Sequence, residues 1–139
     1  MNRTFQHKVS KQAVAAIILL AATALWCFLA RTSLSPLVGL VCMMAGAAAV
    51  DRLVNTTYTF ATDGTLTIRR GRLARPQQIE VAAIMATHKM RGSLFTAPHI
   101  VIEYGTGGRM IFAQPSDFDA FIDEIRRRQE CQDSEYEKQ

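Results

Sequence analysis

The chain has 139 residues, a formal net charge of +4 at pH 7, and an apolar content of 49%. That length holds one modest domain, or a membrane anchor with a smaller domain attached. The charge is not a nucleic-acid footprint: Arg3, Lys8, Lys11 and Arg31 supply the excess, and from Asp51 onward twelve Lys and Arg balance twelve Asp and Glu.

Residues 1–11 read as a basic N-terminal segment. From Gln12 to Val50 the only charge is Arg31, which divides two uncharged stretches of 19 residues, Gln12–Ala30 and Thr32–Val50. As helix, each would be roughly 28 Å long, close to a bilayer core of about 30 Å. The connector Arg31-Thr-Ser-Leu-Ser-Pro36 is rich in turn formers, and Pro36 suits a first helical turn. Residues 12–54 therefore predict a transmembrane helical hairpin, with Leu53 and Val54 completing the second span and Arg52 snorkelling to the headgroups. A cleaved signal peptide fits less well, because the apolar run is long, lacks a small-x-small ending and leads straight into a second span. Basic residues flank both outer ends, so the positive-inside rule places both termini in the cytoplasm of a multi-pass inner-membrane protein. Gly39 and Gly46, with Ala45 and Ala49, mark close helix packing, within the hairpin in preference to between copies.

From Thr56 the apolar period becomes two. Tyr58 and Phe60 alternate with polar residues, Asp63-Gly64 marks a turn, and Leu66 and Ile68 resume the alternation. Shorter strands are expected around Ile79 and Val81 and over Ile84–Met90, then a loop at Arg91–Pro98. His99–Tyr104 and Arg109–Gln114 form a hairpin about Gly105-Thr-Gly-Gly108. Ser116 is the expected N-cap of a final helix whose Phe118, Phe121, Ile122 and Ile125 make one apolar stripe. Asp117, Asp119, Asp123 and Glu124 read as solvated charges near the helix start, Arg126, Arg127 and Arg128 as its basic end, and residues 129–139 as a frayed polar tail.

Specific strings resemble the bacterial pleckstrin-homology-like (PH-like) domains that follow short transmembrane hairpins. They are Tyr58-Thr-Phe-Ala-Thr-Asp-Gly64, Leu66-Thr-Ile-Arg-Arg-Gly-Arg72, Ile79-Glu-Val81, Arg91-Gly-Ser-Leu94, Ile102-Glu-Tyr-Gly105, Pro115-Ser-Asp117 and Phe121-Ile122. The resemblance covers residues 55–128 and departs from the family where Phe95–His99 is brief. It implies an α+β protein in which a small antiparallel PH-like split β-barrel with a C-terminal capping helix follows the hairpin. It implies no reaction and no binding residue.

The most suggestive cluster is Arg69, Arg70, Arg72 and Arg75. A polybasic segment beside a cytoplasmic leaflet gains about 1 kcal/mol per residue from anionic lipid. The same arginines also fit a solvated strand face paired with Glu80. Leu94 and Phe95 are candidate partner contacts, or fold back onto the core. No catalytic, cofactor or metal site is expected. His88 and His99 lack ligands at metal spacing, Gly105–Gly108 lacks the Lys and the helix of a phosphate loop, and Cys27, Cys42 and Cys131 show no paired spacing. The expected role is a noncatalytic module that docks a protein partner or a second copy at the membrane surface, or one that responds to anionic lipid.

Overall fold

The computed structural model describes residues 1–138. It opens with a strand that the sequence does not announce, β1 (Arg3–Gln6). Helices α1 (Lys11–Leu29) and α2 (Ser35–Val54) follow, then β2 (Thr56–Phe60), β3 (Thr65–Arg70) and β4 (Gln77–Glu80). A single 3-10 turn, Val81–Ala83, leads to β5 (Ile84–Met90), β6 (His99–Tyr104), β7 (Arg109–Ala113) and α3 (Phe118–Tyr136).

Both N-terminal helices are long and apolar enough to cross a bilayer. They pack on each other and leave most of their large side chains exposed, Trp26, Leu29, Leu37 and Met44 among them. Gly39 lets them approach: a Cβ there would lie 3.2 Å from the Phe28 ring and 3.3 Å from the Ala24 carbonyl oxygen. This is packing within the hairpin. Gly46 faces open space.

β1 pairs antiparallel with β2, placing Phe5 opposite Tyr58, so the segment before the hairpin belongs to the sheet that follows it. The first sheet has the order β1-β2-β3-β4 and the second β5-β6-β7, and every pairing is antiparallel. No sheet closes on itself, which corrects the expectation of a split β-barrel. After only four residues β4 gives way to the 3-10 turn, which carries the chain off to pair with β6. At the other side an isolated bridge, not a continuous ladder, joins His7 to Pro115. Two backbone bonds flank it, Lys8 N–H to the Gln114 carbonyl and Ser116 N–H to the Gln6 carbonyl, each 2.8 Å.

The core lies between the sheets and under α3. Phe60, Leu66, Ile100, Ile102 and Phe121 are fully buried in it, and Phe5 meets Phe60 and Phe121 edge to face. The stripe on α3 packs as its spacing predicts, with Phe121 and Ile125 buried and Phe118 and Ile122 at the margin. Two details of α3 differ. Asp117, not Ser116, caps it, accepting the Ala120 N–H at 3.0 Å. The helix also continues through the expected tail to Tyr136.

Candidate functional site

The surface richest in unpaired chemistry lies where the helices enter the domain. Asp51, in the last turn of α2, organises one side of it. One carboxylate oxygen accepts from Asn55 Nδ2 at 2.6 Å, and the other accepts the Arg72 backbone N–H at 3.0 Å. The β3–β4 turn is thus clamped to the end of α2. The clamp needs Gly71, whose φ is +79° and whose missing Cβ would lie 2.8 Å from the Asp51 carboxylate. Gly71→Ala should lower stability by about 1–2 kcal/mol, read as a fall in the thermal midpoint of the purified chain with α1 and α2 intact.

The clamp presents Arg72, Leu73 and Arg75 beside the end of α2, with Leu73 89% exposed. Arg69, Arg72 and Arg75 are all exposed. Arg70 differs: it is half-buried and donates to the Phe112 carbonyl at 3.1 Å. Among the described residues none of the four pairs with Glu80 or with any other carboxylate.

The other side is organised by α1. Ser10 caps that helix, its hydroxyl accepting the Ala13 N–H at 3.1 Å. Two residues later, Gln12 Nε2 donates to the Leu94 carbonyl at 2.7 Å and ties the 91–98 loop to the first turn of α1. Leu94 and Phe95 are 88% and 94% exposed, so neither folds back onto the core.

Between these two flanks a cleft is lined by both helices and by the domain. At its rim the Tyr58 hydroxyl accepts the Gln114 N–H at 3.0 Å and meets His7 Nδ1 at 3.4 Å. Burial, and then the Arg70 charge, push His7 below the usual imidazole value and hold it neutral at pH 7. Burial pushes the Tyr58 phenol up.

The remaining sequence-level candidates are dispersed. His99 lies against Phe112, with its Nδ1 3.1 Å from the Ala97 carbonyl oxygen, and His88 is exposed. Cys27, Cys42 and Cys131 are free thiols. Among the described residues, no three His, Cys, Asp or Glu side chains gather as metal ligands.

One further cluster is not among the sequence-level candidates. Glu124 is only 1% exposed and is not a solvated helix-start charge. It accepts from Arg128 Nε at 2.7 Å and from Arg3 and Arg127 at 3.1 Å each. Burial alone would raise its pKa, but the three guanidiniums outweigh that and bring it down to about 2. The Arg127 and Arg128 spacing, three and four residues on, was the available signal; Arg3 gave none. Comparison with protein-family models, curated proteins and solved structures finds no match.

Proposed function

We propose that this chain is a two-span inner-membrane protein whose noncatalytic β domain is seated on the cytoplasmic leaflet that its own hairpin crosses, with both termini in the cytoplasm. One observation carries the reading. Two separate loops that carry the exposed apolar Leu73 and the Leu94–Phe95 pair are tied to the domain-side ends of α2 and α1, through the Arg72 N–H to Asp51 and Gln12 to the Leu94 carbonyl. Those ends lie at headgroup level if the helices span. Arg69, Arg72 and Arg75, exposed and without an ion-pair partner among the described residues, lie within four residues of Leu73 in sequence and favour an anionic surface. The resemblance of the turn and core strings to those of bacterial PH-like proteins suggests kinship with that family, without its barrel.

The test uses Leu94→Cys in a chain whose three native cysteines are Ser, carrying an environment-sensitive fluorophore. In vesicles containing phosphatidylglycerol the emission should shift to the blue and be quenched by lipid-borne quenchers. Water-like emission, unchanged by lipid charge or salt, would sink the reading.

A second reading has its own observation. The outer face of the second sheet exposes Met90, Met110 and Phe112 around Val101. Such a patch suits a protein partner or a second copy. Crosslinking from Met110→Cys in native membranes distinguishes it.

A further inference from the structure

The cleft between the hairpin and the domain has a volume of about 500 Å³, within the range of small-ligand sites. Its two ends differ in chemistry. Ala16, Ile17 and Leu20 of α1 and Ala49 of α2 line an apolar wall, while Arg52 and Arg70 stand at the polar end. No acidic residue lines it. Arg70 has one bond, to the Phe112 carbonyl, and the Arg52 side chain makes none among the described residues. Arg52 is exposed and Arg70 half-buried, and neither is ion-paired with a carboxylate among the described residues, so the polar end of the cleft offers two guanidiniums to an anion. The planar fork of Arg matches the paired oxygens of a phosphate.

We propose that this cleft holds one anionic phospholipid, its phosphate between Arg52 and Arg70 and an acyl chain along the apolar wall of α1 and α2. The proposal rests on the two-span reading, which sets the arginines at headgroup depth and the wall at acyl depth. It differs from surface docking: Arg69, Arg72 and Arg75 do not line the cleft. Free phosphate could engage the arginines but would leave the apolar wall unfilled, whereas a phospholipid uses both ends of the cleft.

The full chain, extracted in mild neutral detergent from membranes containing phosphatidylglycerol and phosphatidylcholine, is weighed intact by native mass spectrometry. One phosphatidylglycerol per chain should be retained, in at least tenfold preference to phosphatidylcholine. Arg52→Gln with Arg70→Gln should cut retention at least tenfold. Ala16→Leu, which fills the wall and keeps both arginines, should do the same. The triple variant Arg69→Gln, Arg72→Gln, Arg75→Gln should retain lipid as the parent does. Equal retention of the two lipids, displacement by equimolar inorganic phosphate, or lipid held by both cleft variants would overturn the proposal. Resistance to alkaline carbonate extraction tests the two-span reading separately.

Discussion

Replacing Glu124 with Gln should lower the stability of the domain by about 3 kcal/mol. That corresponds to a fall of roughly 10–20 °C in the thermal midpoint of a domain this size, measured by calorimetry on the full chain. Glu124 is the hub of the only buried ionic cluster among the described residues. Of its three partners, Arg3 and Arg127 are mainly exposed, so solvent screens them and their removal should matter little. Arg128 is different. Its side chain is 12% exposed, stacks over the Phe60 ring at 5.3 Å, and donates to the Ala61 and Met1 carbonyls. Without the carboxylate, a nearly buried guanidinium is left uncompensated, and that accounts for most of the loss. Glu124→Leu combined with Arg128→Met should recover a large part of it, because a packed apolar pair carries no desolvation cost.

The same carboxylate sets an acid limit. Its folded value of about 2 lies below its ordinary 4.5. Its contribution is therefore fully present above pH 4.5 and is lost as pH falls from there through about 2. Glu124→Gln should flatten the stability curve in that window and leave the neutral side unchanged in shape. An unaltered acid limb in the variant would assign acid sensitivity to other carboxylates.

The legible parts of the fold were those with a period. Two uncharged 19-residue runs gave two helices, alternation about Asp63-Gly64 gave the β2–β3 hairpin, and the i, i+3, i+4, i+7 stripe gave the buried face of α3. What escaped was set by partners distant in sequence. β1 has a single inward side chain, Phe5, among polar neighbours, and four residues cannot display alternation. Glu124 reads as solvated from its local sequence because one of its partners, Arg3, lies 121 residues away. Barrel closure was inferred from turns and core strings, and these leave open which strands pair at the edges. At the candidate site the arginines and the Leu94–Phe95 loop were legible as residue types. Their attachment to helix ends was not, because it depends on a Gln12 side chain and an Asp51 carboxylate whose reach no local pattern encodes.

Replacing residues 9–54 with a short Gly/Ser linker should yield a soluble, cooperatively folding domain, whereas residues 55–139 alone should not fold stably. The basis is that the hairpin leaves and re-enters the domain at one place. Gln6 pairs with Thr57, and the His7 N–H donates to the Thr56 carbonyl at 3.2 Å, so about four linker residues can join the ends. A chain starting at residue 55 lacks β1. It leaves the β2 edge unpaired, removes the Phe5 ring from between Phe60 and Phe121, and opens the bridge at Pro115. Loss of a buried aromatic ring alone costs about 3–5 kcal/mol, against a total of about 5–15 kcal/mol for a typical domain. Urea unfolding followed by amide chemical-shift dispersion separates the two shortened chains, and equal cooperativity in both would show β1 to be dispensable. The functional consequence is mechanical. A domain joined to its hairpin by one strand on either side, β1 before and β2 after, cannot swivel as one on a single tether can. On the two-span reading proposed above, that restraint would hold one face of the domain toward the bilayer, the face to which Leu73, Leu94 and Phe95 are assigned.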